Sequence, residues 1–280
     1  MKNNLITFIS CEEEYDESNI VIFGAPFDGT TSFRPGTRFA PNAIRLDSDG
    51  LETYSPYLDV DISDKKISDI GDVEIQFGNT QKVINDIYEQ STKIINDNKK
   101  PLMIGGEHLV TYPQVKALVN KFEDLHIIHL DAHADLRDDY LGEKFSHATV
   151  MRRCYDMVGK DRIFQFGIRS GTKEEFSFQN CNTYMEKFNI ETFASVKEKL
   201  VGKNVYLTID LDVLDPSIFS GTGTPEPGGI TFKELMNFFK EISTLKLVGA
   251  DVVELSPQYD TTGVSNAVAA KVIREVLCLL

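Results

Sequence analysis

The chain has no tryptophan and only four cysteines in 280 residues. Cys11, Cys154, Cys181 and Cys278 are scattered, and no two stand in a CxxC pair. A zinc ribbon and a disulfide framework are therefore not suggested, and free thiols in a reducing compartment are expected. Basic charge is scarce: 29 lysines and arginines stand against 43 aspartates and glutamates, a net charge of −14. That balance argues against a nucleic acid or an anionic membrane as partner, because either wants a basic face. It is compatible with a small cationic ligand or with bound divalent cations. Long apolar runs are missing as well, and none approaches the ~20 residues that span a bilayer. The opening MKNNLITFIS has one short apolar run before the acidic CEEEYDE, without the core or cleavage site of a secretion signal. A soluble cytoplasmic protein is the expectation. No repeat, low-complexity tract or linker divides the chain, so residues 1–280 are read as a single domain.

What is present is an alternation. Apolar runs predict strands at Asn19–Ala25, Ile67–Gly71, Pro101–Ile104, Leu125–Leu130, Arg162–Ile168, Asn204–Ile209 and Lys246–Leu255. Helical spacing predicts helices from Pro41 and over Asn79–Asn98, Val110–Phe122, Ala148–Met157, Phe193–Leu200, Phe232–Ile242 and Ser265–Leu279. Several strand runs are almost continuously apolar, as when both faces are covered. The class is α/β, a parallel sheet between helix layers. In such folds ligands bind beyond the carboxyl ends of the strands.

Polar residues collect at those ends. The stretch HIIHLDAHAD (126–135) begins as a buried strand and ends in Asp131, His133 and Asp135, each two residues from the next. In extended backbone such side chains share one side. Burying acids without partners is costly, and a cation would explain them. Asp210 and Asp212 repeat the spacing after another apolar strand, and His108 follows a Gly-Gly pair. Four carboxylates and two imidazoles suit two ions sharing bridging aspartates. The donor set favours hard divalent cations and tilts toward manganese. The glycines of GGEH and GTGTPEPGG fit neither a P-loop nor a dinucleotide fingerprint, and are expected to let backbone approach the site closely.

With GGEH, DAHAD, DLDVLDPSIFSGTGTPEPGG and DVVELSP, the chain resembles the ureohydrolase superfamily of arginases and agmatinases over almost its whole length. The segment GAPFDGTTSFRPGTRFAPNAIR resembles the agmatinase branch. The resemblance implies a single three-layer domain with an eight-stranded parallel sheet, assembled as a trimer or hexamer. It implies two Mn2+ ions. His108, Asp131, Asp135 and Asp210 would hold one, and Asp131, His133, Asp210 and Asp212 the other. A hydroxide bridging the metals would attack a guanidinium carbon, because an always-protonated guanidinium is a poor electrophile. Glu254 would orient the guanidinium, Asp135 would relay a proton, and His147 would shuttle protons or stabilise the leaving side. Two departures from the family pattern are Ala148, where glycine often follows the histidine, and Ser220, where proline often precedes GTG. The second predicts a looser loop.

For the substrate, the loop after DAHAD reads LRDDYLGEK. Its acids Asp138, Asp139 and Glu143 would repel a carboxylate at the far end of the substrate and favour a second positive charge, as in agmatine. Arg169 and Glu175 lie in a segment that lines the pocket in relatives, and Glu175 is a candidate substrate contact. The expected reaction is agmatine to putrescine and urea. The alternatives are another guanidine (guanidinobutyrate, guanidinopropionate or arginine), a formimino substrate, or a non-catalytic metal-binding relative.

Overall fold

In the computed structural model, which describes residues 6–76 and 78–280, the apolar runs become parallel strands and the amphipathic runs become the helices that cover them. Residues 1–5, the start of the run read for a secretion signal, lie outside the described residues. The strands are β1 (Ile20–Ala25), β2 (Tyr54–Ser55), β3 (Val60–Asp61), β4 (Ile67–Asp72), β5 (Lys100–Gly105), β6 (His126–Leu130), β7 (Ile163–Ile168), β8 (Tyr184–Lys187), β9 (Asn204–Asp210) and β10 (Lys246–Val253). β2 and β3 form a small antiparallel hairpin. The other eight make one parallel sheet in the order β4-β1-β5-β10-β9-β6-β7-β8.

The helices are α1 (Ala40–Ser48), α2 (Thr80–Asn96), α3 (Thr111–Lys121), α4 (Val150–Val158), α5 (Lys173–Asn182), α6 (Phe193–Val196), α7 (Phe232–Ile242) and α8 (Val264–Leu279). Alternate residues of each strand face opposite layers. Ile22, Leu102, Ile128 and Leu207 pack with Ile44 of α1, Val196 of α6, Leu235 of α7 and Ile273 of α8. On the other face Val21 and Met103 pack with Val83 and Ile87 of α2, and Ile127 and Ile163 pack with Val115 of α3 and Met151 of α4. The result is the expected three-layer architecture. Among the described residues no helix is long and apolar enough to cross a membrane.

Besides the β2–β3 hairpin, two elements have no counterpart in the sequence pattern. β8, Tyr-Met-Glu-Lys, pairs only with β7 at the sheet edge, where one side needs no apolar cover. α5 has a mostly polar sequence and is fixed at its start by a reciprocal cap between Thr172 and Glu175. Predicted helix Phe193–Leu200 is shorter than expected: α6 gives way to a 3-10 turn at Lys197–Lys199. The loop at Ser220 is not loose. Gly221 N–H donates to Ser265 Oγ at 2.9 Å, and Gly221 O accepts from Ser256 N–H at 2.7 Å.

The strand order positions the site. After β5 the chain skips two places before β6, and β10 and β9 later fill them. In register, Ile104 lies beside Val252, Val253 beside Asp210, and Ile209 beside Leu130. The carboxyl ends of these four central strands therefore finish level, and the residues after them emerge together.

Candidate metal centre and active site

Each candidate metal ligand read from the sequence, and Glu254, leaves one of those four strand ends. His108 follows β5, Asp131, His133 and Asp135 follow β6, Asp210 ends β9 and Asp212 follows it, and Glu254 follows β10. The approach is close because Gly106 has no side chain: a Cβ there would lie 1.9 Å from the Phe27 carbonyl oxygen. Asp131, Asp210, Asp212 and His108 are buried. His133 keeps 24 % of its side chain exposed.

Asp131, Asp210 and Asp212 share one pattern: one oxygen is anchored by a backbone N–H and the other is turned inward. Asp131 Oδ1 accepts from His133 N–H at 2.5 Å, Asp210 Oδ1 from Asp212 N–H at 2.8 Å, and Asp212 Oδ1 from Ala132 N–H at 3.1 Å. Their second oxygens meet the imidazoles. His108 Nδ1 lies 3.0 Å from Asp131 Oδ2 and 3.4 Å from both Asp135 Oδ2 and Asp210 Oδ2. His133 Nδ1 lies 3.0 Å from Asp212 Oδ2 and 3.5 Å from Asp131 Oδ1. Among the described residues neither His108 Nδ1 nor Asp212 Oδ2 has a hydrogen-bond partner, although both are buried.

Buried oxygens and an imidazole nitrogen that converge without donors are what a cation would satisfy. Two sets of ligand atoms are close enough to surround an ion: His108, His129, Asp131 and Asp135, and Asp131, His133 and Asp212. Asp131 belongs to both. His129 was not singled out by spacing. Gln165 Nε2–H donates to its Nδ1 at 3.1 Å, so its Nε2–H donates to Asp131 Oδ2 at 2.8 Å. It therefore steadies Asp131 instead of adding a free donor atom.

The electrostatics agree. Burial pushes Asp135 up to about 7, with the Asp131 charge adding to it. Burial, then Asp212 and Asp131, push Asp210 well above the carboxylate range. Burial, then Glu107, raises Glu254 in the same way. These carboxylates repel one another, and positive charge would relieve them. Asp135 and Glu254 also sit in left-handed backbone, at φ 54° and 67°. That costs about 1–2 kcal/mol each for residues other than glycine, and such strain collects at functional sites.

Above this cluster lies a cavity of about 230 Å³, lined by His108, His133, Asp135, His147, Asp210 and Glu254 among others. Glu254 Oε1 accepts from His108 N–H at 2.8 Å. His147 is held by the loop after β1: its N–H donates to Thr30 Oγ1 at 3.1 Å, and its Nε2 lies 3.3 Å from Ser32 Oγ. Glu107, unassigned by the sequence reading, is fully buried and anchors that loop. Its Oε2 accepts from Thr30 N–H at 2.9 Å and from the Thr31 hydroxyl at 3.1 Å. Burial lowers His147 to about 4, with His133 adding to it, so the ring is neutral at pH 7.

The acidic loop is arranged differently from the sequence expectation. Asp138 turns outward to Arg153 at 2.7 Å with 67 % of its side chain exposed, and Asp139 caps Gly142 N–H at 3.2 Å. Asp138, Asp139 and Glu143 are not among the residues that line the cavity, whereas Arg137 and Tyr140 are. Glu175 also lines the cavity, but both of its oxygens are engaged. Oε1 accepts from Leu136 N–H at 2.9 Å and Oε2 from Thr172 N–H at 2.8 Å, with Arg137 Nε 3.6 Å from Oε2. Arg169 is not among the lining residues. Its guanidinium donates to carbonyls of Asp212 and Glu226 at 2.6 and 2.8 Å, clamping the loop after β9.

Comparison with known proteins gives a consistent set of similarities. The Arginase family model matches residues 18–279. An agmatinase of Bacillus cereus is 47 % identical over 274 residues, covering 96 % of this chain and 94 % of the relative. A guanidinobutyrase of Pseudomonas aeruginosa is 36 % identical over 280 residues, covering 95 % and 88 %. A solved structure from Clostridium difficile, a candidate agmatinase, is 55 % identical with a TM-score of 0.93, covering 95 % of this chain and 98 % of that one.

Proposed function

The chain belongs to the arginase family, and from that premise we propose that it hydrolyses agmatine to putrescine and urea, a step of polyamine biosynthesis. The observation that carries this reading is the near full-length similarity to an agmatinase, joined to a cavity whose floor is the His/Asp cluster. The acids of the loop after DAHAD no longer support it, because they are not among the residues lining the cavity.

His108, Asp131, Asp135 and Asp210 would hold one divalent cation, and Asp131, His133, Asp210 and Asp212 a second, with manganese the choice that fits the donors. When bound, such a pair supplies a strong nucleophile from water at neutral pH. The chain's own residues do the rest. Glu254 lines the cavity with one oxygen fixed by His108 N–H, and its negative charge pairs with the guanidinium and orients the carbon toward the floor. Asp135, at the cavity wall, accepts the proton released there and passes it to the departing amine. Neutral His147, steadied by Thr30 and Ser32, hydrogen-bonds the leaving side. The same reading takes residues 1–280 as a single cytoplasmic catalytic domain, assembled as a homotrimer or homohexamer.

One observation favours a second substrate. Arg137 lines the cavity and would pair with a carboxylate, as in 4-guanidinobutyrate, although Glu175 lies 3.6 Å from it. Urea release from agmatine, arginine, 4-guanidinobutyrate and 3-guanidinopropionate, with added manganese, separates these readings. Agmatine is expected to be turned over fastest, and Asp131→Asn to lower release to background. Faster turnover of a carboxylated guanidine would replace agmatine as substrate.

A further inference from the structure

Asp251 is a carboxylate fully buried in β10, beneath the metal centre, and the chemistry above does not use it. Among the described residues, every donor around it is a hydroxyl. Thr208 donates to Oδ1 at 2.7 Å, and Thr111 donates to Oδ2 at 2.8 Å. Tyr206 also donates to Oδ2. The direction of the Tyr206 bond follows from its other partner. Gln114 Nε2 donates to Tyr206 Oη at 2.8 Å and to the Ala250 carbonyl at 2.9 Å, so the tyrosine proton is free for Asp251. Burying a carboxylate costs several kcal/mol before such bonds offset it. A core position between apolar neighbours gives no packing reason to bear that cost.

The consequence appears one bond further on. Thr208 has a single hydroxyl proton, and Asp251 takes it. Thr208 Oγ1 can then only accept from His108 Nε2, 2.9 Å away. The His108 proton is therefore on Nε2, and Nδ1 presents its lone pair to Asp131, Asp135 and Asp210. We propose that Asp251 is a positioning residue for the metal centre. Acting through Thr208, it fixes the tautomer and ring orientation of His108, a carboxylate–hydroxyl–histidine relay where metal sites more often have carboxylate–histidine contact. The proton of the relay stays in place; what it transmits is direction. The relay serves the ion held by His108 and not the one held by His133, whose ring does not contact Thr208.

The inference rests on the two-cation reading. It is tested by manganese titration of chelator-treated protein for the wild type, Thr208→Val, Thr208→Ser and Asp251→Asn, with 15N chemical shifts of His108 recorded without metal at a pH alkaline enough for the ring to be neutral. Thr208→Val is expected to weaken one of the two binding events about 10–100-fold and leave the other within about 2-fold. The His108 nitrogens should lose their fixed Nε2–H signature in that variant. Thr208→Ser, which keeps the hydroxyl, is expected to restore both. If Thr208→Val does not fold, Asp251→Asn, whose amide oxygen is claimed by the two donors Thr111 and Tyr206 and whose NH2 therefore faces Thr208, is expected to give the same selective loss. Wild type that binds two ions beside Thr208→Val or Asp251→Asn with unchanged affinities overturns the relay alone. Wild type that binds no manganese overturns the two-cation reading together with it.

Discussion

Glu254 combines three properties that a single side chain rarely has together: burial, a left-handed backbone at φ 67°, and one oxygen already committed to the N–H of neighbouring His108. In the proposed mechanism its charge pairs with the substrate guanidinium in the cavity. Glu254→Gln keeps the volume and an oxygen for His108 N–H but removes the charge. It is expected to leave manganese content unchanged and to lower kcat/KM for agmatine on the order of 10²–10³-fold, roughly 3–4 kcal/mol. Wild-type kcat/KM in this variant would remove Glu254 from guanidinium recognition. At this scale the sequence was informative where spacing is regular. The two-residue spacing of Asp131, His133 and Asp135 points to one site, although in the structure they follow the end of β6 and Asp135 turns in left-handed backbone, so the loop and not the strand period brings them together. Thr208 and Asp251 were visible only as polar interruptions of NVYLTID and LVGADVV, and nothing in those runs says that they face each other across two strands. Asp138, Asp139 and Glu143 are expected from the sequence to face the substrate and do not line the cavity, because a loop has no period to fix which side chain points inward.

Among the elements, α5 shows how a site residue by proximity can be a structural residue by bonding. The sequence reading missed the helix because its residues are mostly polar. What fixes it is the reciprocal cap of Thr172 and Glu175, and the same Glu175 also holds Leu136 N–H, directly after Asp135. The carboxylate thus ties the start of α5 to the end of the loop that carries Asp131, His133 and Asp135. Glu175→Gln weakens two charge-assisted bonds to backbone N–H groups. The expected loss is about 1–2 kcal/mol, a fall in Tm of roughly 2–8 °C for a chain of this size, with KM for agmatine within about 2-fold of wild type. A large rise in KM with unchanged Tm would instead make Glu175 a substrate contact. The edge strand β8 was missed for a related reason. Its bonds come from β7 on one side, so its sequence Tyr-Met-Glu-Lys need not be apolar.

For the whole molecule, alternation in the sequence specifies a covered parallel sheet but not its order. That β9 and β10 return to fill the two places between β5 and β6 is a property of packing, and it is what gathers acids from four strand ends into one buried cluster. The cluster makes stability depend on pH in a defined sense when chelated protein is studied. Burial and like charge raise Asp135 to about 7, burial raises Glu107 to about 7, and Asp210 and Glu254 lie well above the carboxylate range. His108 and His133 are also raised, because the surrounding carboxylates outweigh burial. Each of these groups binds protons more tightly folded than unfolded, so its support for folding fades as pH rises through its folded value. Asp131, held low, contributes fully above its ordinary 3.8. His147, lowered to about 4, acts in the opposite direction only below its ordinary 6.5. Between pH 6.5 and roughly 8 the site's contributions therefore only decline. Chelated protein is expected to lose about 2 kcal/mol or more over that interval, a drop in Tm of roughly 4–8 °C. Manganese-loaded protein should stay nearly flat, because the cations replace protons as counter-charge. Scanning calorimetry of both forms across the interval decides it: parallel curves would mean that the buried acids are balanced from within the protein, and the case for a cation-dependent centre would fall with them.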